Sequence, residues 1–182
     1  MYSYVGDLSK LTHNIIKTYC RDFQLAVDCT LGNGHDCDFL RENFKKVYAF
    51  EIQEHIANKY LENNYDNVEV IINSHKYIKD YIKEEADCIM YNLGFLPGGD
   101  KNITTLYESS LYSISKSLDI IKPGGFITVA VYPGHEQGKN EKDGLYEFFK
   151  TLPKNKFGVM EHNFFNRSPK SPSLIVIEKN FI

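Results

Sequence analysis

The stretch Leu25-Ala-Val-Asp-Cys-Thr-Leu-Gly-Asn-Gly-His-Asp36 decides the fold of this chain. Its opening residues are apolar up to Asp28, as expected of a short buried strand. The two glycines that follow allow a tight turn and a close approach of the backbone to a ligand. Apolar residues then recur at helical spacing up to Phe44, and the N-terminus of such a helix presents free N–H groups to the turn. A strand, a glycine loop and a helix in this order indicate a nucleotide-type binding site.

Apolar runs alternate with amphipathic stretches on both sides of this loop. Strands that alternate with helices form parallel sheets, whereas two late strands without a helix between them pair antiparallel. We therefore predict an α/β fold: a doubly wound, mostly parallel, seven-stranded Rossmann-like sheet with an antiparallel C-terminal hairpin, forming one domain over residues 1–182. Beyond the opening stretch, the predicted helices are 8–19, 53–64, 104–121 and 142–151, and the predicted strands are 47–50, 68–72, 87–91, 126–132, 157–165 and 174–179.

Composition excludes several classes of protein. The chain has 182 residues, 42% of them hydrophobic, which is enough to bury a core without disulfides or metals. The formal net charge of -3 argues against a strongly basic protein that coats nucleic acid. The sequence shows neither a transmembrane run nor a secretory signal, and its cysteines and histidines form no zinc cluster. We expect a reduced, cytoplasmic protein with no metal.

The acidic residue Glu51 ends the second predicted strand, where a carboxylate can accept two hydrogen bonds from a ribose diol. The dinucleotide fingerprint GxGxxG requires a third glycine, but this chain has Cys37 there. Asp28 could hold the ammonium of a methionine moiety, whereas it would repel a pyrophosphate. We predict S-adenosylmethionine as the cofactor; a nicotinamide or flavin dinucleotide and a purely structural glycine turn are the alternatives.

A second informative segment, 92–101, follows the fourth strand and reads NLGFLPGGDK. Amino-group methyltransferases of this fold carry a related [ND]-P-P-[FY] turn, in which the Asn accepts a hydrogen bond from the target amine and the aromatic ring stacks on the substrate. Asn92 and Phe95 occupy the corresponding places, although Leu-Gly replaces Pro-Pro. No cysteine lies in this turn, so methylation of nitrogen is favoured over cysteine-dependent methylation of carbon.

A primary alkylamine is mostly protonated at pH 7, so a site that methylates it must remove a proton. His135 lies in the loop after the fifth strand, where it can contact the substrate or act as a base; alternatively it holds the loop backbone. His75 follows strand three, where adenine contacts are expected. His13 is predicted to be structural or exposed. The candidate bases are His35, His75, His135 and Asp100.

The segments VDCTLGNGHDCDFL, NLGFLPGGDK, YPGHEQG and PSLIVIEK resemble the MnmM (YtqB-type) methyltransferases over about residues 10–179. The resemblance implies a class I methyltransferase fold that transfers methyl from S-adenosylmethionine to the amine of 5-aminomethyl-(2-thio)uridine at the tRNA wobble position. The product would be 5-methylaminomethyl-(2-thio)uridine. The implied partner is the anticodon stem-loop of tRNA, and a homodimer is left open. The alternatives are another RNA site such as rRNA, a small amine, or a catalytically silent RNA-binding module.

The motifs and the resemblance together predict three groups of site residues. In this family Tyr is usual where Phe95 stands, so stacking there is retained but a hydroxyl contact is not. The catalytic group is Asn92, Phe95, His135 and Asp100. The cofactor-binding group is Asp28, Thr30, Gly32, Asn33, Gly34, His35, Asp36, Glu51, Gln53, His75, Asn92 and Gly94. The substrate-binding group is Leu96, Pro97, Gly98, Lys101, Tyr132, Arg167 and Lys170.

Overall fold

Seven strands form a single sheet in the computed structural model, which describes residues 2, 4–94 and 104–181. The spatial order is β3-β2-β1-β4-β5-β7-β6. Strands β1 to β5 pair in parallel, while β7 is antiparallel to both β5 and β6. This confirms the predicted fold class. The strands are β1 (Leu25–Asp28), β2 (Lys46–Glu51), β3 (Val68–Ile72), β4 (Ala86–Asn92), β5 (Ile121–Val131), β6 (Phe157–His162) and β7 (Ser173–Lys179).

Helices cover both faces of the sheet. Successive strand side chains point to opposite faces, so Ala26 packs with α1, α2 and α3, whereas Val27 packs with α4, α5 and α6. Each face therefore has its own apolar layer, as in other doubly wound folds. The helices are α1 (Leu8–Tyr19), α2 (His35–Asn43), α3 (Glu54–Leu61), α4 (Ile78–Tyr81), α5 (Tyr107–Ile120) and α6 (Glu136–Lys150).

Several predicted boundaries were wrong. Helix α6 begins at Glu136 rather than 142, because His135 caps it and its first turns are polar, so apolar spacing does not reveal them. Strand β5 begins at Ile121, five residues before the predicted start at 126, and α5 begins at Tyr107 instead of 104. A short 3₁₀ turn (His75–Tyr77) and α4 were not predicted, since elements this short carry too little periodicity to detect.

The order of strands places the loops after β1, β2 and β4 together. Strand β2 pairs with one side of β1, and β4, which comes later in the chain, pairs with its other side. The carboxyl ends of parallel strands lie at one edge, and a crevice opens where the strand order reverses. The glycine loop and Asn92 meet at this edge, which is therefore where a ligand is expected to bind.

Substitution of Gly34 tests how closely the glycine loop is packed. It has φ +84° at the start of α2, and an added Cβ would lie 2.3 Å from a ring carbon of Tyr60. We expect Gly34→Ala to lower the free energy of unfolding by about 1–3 kcal/mol, because both the backbone and the ring must move. Gly158→Ala is the matched control, since its Cβ would meet no atom within 4 Å. Urea denaturation that gave equal effects for both variants would contradict this prediction.

Candidate active site

A cavity of about 550 Å³ opens at the carboxyl edge of the sheet. Its volume lies in the range of about 300–1,000 Å³ that is usual for small-molecule sites. The loops after β1, β2, β3 and β4 form its walls, so the reversal of strand order does produce a pocket. The predicted site residues that line it are Thr30, Gly32, Asn33, His35, Asp36, Glu51, Gln53, His75, Asn92, Gly94 and Tyr132.

Other predicted site residues lie elsewhere. Asp28 ends β1 and Gly34 belongs to the glycine loop, but neither is part of the cavity wall. His135, Arg167 and Lys170 are also not among the residues that line the cavity. The remaining predicted residues lie outside the described part of the chain, so their roles stay predictions: Phe95, Leu96, Pro97, Gly98, Asp100 and Lys101.

Glu51 links the glycine loop to the loop after β2. Its Oε2 accepts a hydrogen bond from the backbone N–H of Gly32 at 3.0 Å, and its Oε1 accepts one from Gln53 at 2.9 Å. A carboxylate has about four acceptor positions, so it can also accept hydroxyl donors. Glu51 lines the cavity and is buried. It is therefore placed both to shape the loop and to bind a ribose diol.

Asp28 lies beneath the glycine loop and is 1% exposed. Its Oδ1 accepts a hydrogen bond from the N–H of Thr30 at 2.9 Å, while its Oδ2 has no partner among the described residues. Burial, followed by the nearby charges of Asp36 and Glu51, raises the pKa of Asp28 to about 8. A cationic ligand in the cavity would stabilise the ionised carboxylate, so this environment fits a cofactor that carries ammonium and sulfonium groups.

His75 contributes a neutral ring to the cavity wall. The imidazole is buried and meets Tyr91 edge-on with centroids 5.7 Å apart. Burial lowers its pKa to about 4, so the ring is uncharged near pH 7 and is a weak base. Its Nδ1 has no hydrogen-bond partner among the described residues. These properties suit a hydrogen bond to a neutral heteroaromatic ring such as adenine better than removal of a proton.

Asn92 ends β4 and lines the cavity. Its backbone N–H donates to Thr30 Oγ1 at 2.7 Å, which joins the glycine loop to β4. Its side-chain Nδ2 donates to Asp36 Oδ2 at 3.3 Å. Because an ionised carboxylate can only accept hydrogen bonds, the amide nitrogen must face Asp36 and the amide oxygen must point away from it. The side chain thus offers an acceptor of fixed orientation.

Within the segment YPGHEQG, Tyr132 lines the cavity, whereas His135 and the residues after it form the start of α6 and are not among the cavity-lining residues. His135 caps the helix, with its Nδ1 accepting from the N–H of Gly138 at 3.1 Å. This placement agrees with the alternative in which His135 holds the loop backbone; its role as a substrate contact or base stays a prediction.

Glu141 connects α6 to the residues that flank the segment 95–103. The side chain is 2% exposed and accepts hydrogen bonds from Ser110 Oγ at 2.6 Å and Thr105 Oγ1 at 2.9 Å. Thr105 Oγ1 in turn accepts from the N–H of Gly94 at 2.8 Å. Glu141 could not be predicted as a site residue, because one glutamate in a polar helical stretch gives no sign of burial.

We expect Glu141→Ala to lower the free energy of unfolding by about 1–3 kcal/mol, because it leaves one buried and one half-buried hydroxyl without their acceptor. It should also slow methyl transfer, since Gly94 and Thr105 lose a shared anchor. Glu141→Gln keeps an acceptor oxygen and should retain most of both properties. Glu147→Ala, at an exposed position of the same helix, is the control. Thermal melting and single-turnover rates that match those of Glu147→Ala would contradict this role.

The strand order, the glycine loop and the acidic end of β2 together define a class I methyltransferase fold. A family model described as "Putative rRNA methylase" matches residues 47–178, and the chain belongs to this family. The family and fold predicted from the motifs are thereby confirmed.

Individual relatives agree with this assignment. The chain is 26% identical over 193 residues to the Arabidopsis thaliana protein named "tRNA (mnm(5)s(2)U34)-methyltransferase, chloroplastic", covering 94% of this chain and 69% of that protein. The Clostridium thermocellum structure described as a "putative rRNA-methylase" shares 33% identity with a TM-score of 0.89, covering 96% of this chain and 98% of the other. SMU.1697c, described as "a putative methyltransferase" from Streptococcus mutans and solved in complex with SAH, shares 34% identity with a TM-score of 0.86, covering 96% of this chain and 99% of the other.

None of the helices within 4–94 and 104–181 has the length and apolar character that a membrane span requires. Over the same residues, His, Cys, Asp and Glu side chains form no group of three that could hold a metal ion. The four cysteines are buried and unpaired with one another.

Proposed function

We propose that this protein methylates the amine of 5-aminomethyl-(2-thio)uridine at the wobble position of tRNA, giving 5-methylaminomethyl-(2-thio)uridine. The observation that carries the proposal is the Asn92 amide, whose nitrogen donates to Asp36 and whose oxygen is the acceptor proposed for a target N–H. Tyr132, which lines the same cavity, also interacts with this side chain. The name of the Arabidopsis relative, which specifies this modification at U34, supports the choice of substrate.

The cofactor is S-adenosylmethionine, as the glycine loop predicts and as the Streptococcus mutans complex with SAH indicates. When bound, it supplies an electrophilic methyl group on a sulfonium. Glu51 is placed to bind its ribose hydroxyls, and His75 offers an unpaired ring nitrogen for the adenine. The negative charges near Asp28 favour its cationic groups.

An amine donates a hydrogen bond through N–H while its lone pair points elsewhere. When the substrate amine donates to the Asn92 oxygen, its lone pair can point at the methyl carbon. Positioning of this kind can lower a transfer barrier by several kcal/mol. The Asp36 contact stops the Asn92 amide from rotating, so the acceptor oxygen stays in place.

The target uridine must leave the base stack to reach the cavity, and flipped bases commonly stack on aromatic rings. Tyr132 lines the cavity and is 37% exposed, so its ring is available for stacking. The exposed side chain of Lys76 also lies at the cavity and could pair with a phosphate. A small anticodon-loop footprint needs only a few such cations, which is compatible with the net charge of -3.

The test is a methyl-transfer assay on two anticodon stem-loops that differ only in whether the wobble uridine carries 5-aminomethyl. We expect one methyl group on the amine of the modified stem-loop and none on the unmodified one, read by mass spectrometry of the nucleosides. Calorimetry should show binding of S-adenosylmethionine and none of NADH. Methylation of an rRNA fragment but not of either stem-loop would overturn the proposed substrate.

The other candidates are weaker. The family description names rRNA, and the assay above distinguishes that substrate directly. A silent RNA-binding module has no need of the Asn92–Asp36 contact at a cofactor-sized cavity. RNA binding, a homodimer, a cytoplasmic location and a single domain over 1–182 stay predictions.

A further inference from the structure

We propose that Asp36 accepts the proton that the substrate ammonium must lose before methyl transfer, and that His13 is a positioning residue that holds Asp36 for this step. The inference rests on the proposed function, because it concerns an alkylamine substrate. It assigns a role to His13, which sequence analysis took to be structural or exposed.

Asp36 is the centre of a chain of three side chains from three elements. Its Oδ1 lies 2.7 Å from His13 Nε2 of α1, and its Oδ2 accepts from Asn92 Nδ2 at 3.3 Å. Asp36 lines the cavity, and its side chain is 12% exposed. A carboxylate beside the proposed amine-binding amide is therefore within the same pocket as the amine.

His13 is held in a fixed position. Its ring stacks on Phe39 with centroids 3.9 Å apart and planes 6° from parallel. A stacked imidazole cannot swing freely, so its Nε2 stays directed at Asp36. A His13–Asp36 pair that only connected α1 to α2 would not require Asp36 to contact Asn92 and face the cavity as well.

The surrounding charges make a local proton acceptor necessary. Negative groups near the cavity attract an ammonium ion, but they also stabilise its protonated form. Glu51 at the end of β2 provides such a charge, Asp28 at the end of β1 adds to it when a bound cationic cofactor ionises it, and Tyr132 also faces Asp36. On the α1 side, the ammonium of Lys17 lies 5.5 Å from the Phe39 ring on which His13 stacks.

The step balances as follows. One N–H bond of the substrate ammonium breaks, its proton goes to Asp36 Oδ2, and its electron pair remains on nitrogen as the lone pair. The lone pair then forms the N–C bond while the C–S bond of the sulfonium breaks and its electrons go to sulfur. The product leaves as a secondary ammonium, and Asp36 later returns its proton to solvent. Throughout, His13 Nε2–H donates to Asp36 Oδ1.

Other candidate bases fit this role less well. His75 is buried, and its ring meets Tyr91 edge-on. His135 caps α6 and is not among the residues that line the cavity. Neither histidine contacts Asn92 in the hydrogen bonds described above. Asp36 does, which is why the structure favours it.

The test measures single-turnover rates against pH at saturating S-adenosylmethionine with the aminomethyluridine stem-loop. Asp36→Asn keeps the shape and an acceptor for Asn92 but cannot take a proton. We expect its rate to be tenfold or more lower at pH 7 and to rise about tenfold per pH unit, because it must wait for amine that is already neutral. The wild type should depend less on pH, and the two rates should converge near the pKa of the amine. His13→Phe keeps the stacking and should give a smaller loss with a shifted pH midpoint.

Asp38→Asn is the matched control on the same helix, because Asp38 bonds to Arg41 and Tyr60 and is not among the cavity residues. Its rates should follow the wild type at every pH. If Asp36→Asn reduces the rate by the same factor at all pH values, or not at all, the proton-acceptor role is wrong. An inactive wild type on this substrate would overturn the proposed function and this inference with it, whereas an active wild type with a parallel Asp36→Asn profile would overturn the inference alone.

Discussion

Asn92→Ala should slow methyl transfer on the order of 100-fold or more at saturating cofactor, with little change in the Kd for S-adenosylmethionine. The reason is geometric: alanine removes the acceptor that orients the amine, but leaves intact the backbone N–H that donates to Thr30. Loss of orientation raises the barrier without changing how the glycine loop binds its ligand. Single-turnover rates and calorimetry measure the two quantities separately.

The competing explanation is that Asn92 only stabilises the end of β4. In that case Asn92→Ala should lower the melting temperature and weaken cofactor binding in proportion to the loss of activity. Asn58→Ala, at an exposed position of α3, is a control for loss of an amide without loss of orientation. A folded, cofactor-saturated Asn92→Ala variant with near-normal turnover would refute the assignment.

Asp28→Asn should make the protein more stable than the wild type as pH rises. Burial raises the pKa of Asp28 in the folded state to about 8, above its ordinary value of 3.8. The contribution of Asp28 to the free energy of unfolding is therefore fully present below about pH 4 and is lost as pH rises toward 8. The difference in unfolding free energy between variant and wild type should shift by about 1.4 kcal/mol per pH unit in that window. Between pH 5.5 and 7.5 the shift is about 3 kcal/mol in favour of Asp28→Asn.

Urea denaturation at a series of pH values measures this difference, with Asp38→Asn as the control for a partly exposed aspartate. The cofactor should reverse the order: its positive charges stabilise the ionised Asp28, so it should add more stability to the wild type than to the variant near pH 7.5. If the unfolding free energies of Asp28→Asn and the wild type changed in parallel with pH, Asp28 would be ionised in the folded protein even without the cofactor.

Much of the fold could be predicted from local sequence. Buried strands such as Leu25–Asp28 are short apolar runs, and the glycines of the following loop mark a turn that few other residues can make. The lack of a helical pattern between the last two strands predicted their antiparallel pairing, which the sheet confirms. The cofactor loop and the acidic end of β2 were predicted for the same reason, because their chemistry lies in contiguous residues.

The tertiary structure alone decided which polar side chains share the site. His13 and Asp36 are 23 positions apart, Asp36 and Asn92 are 56 apart, and Thr105 and Glu141 are 36 apart. Hydrophobic periodicity shows which face of an element is buried, but it does not show which polar residue of another element meets it. The burial of Asp28 beneath its own loop also depends on how neighbouring strands pack. Local sequence determined the sheet and its cofactor loop because those depend on neighbouring residues; the proton-handling and anchoring contacts depend on distances that exist only after the strands and helices have packed.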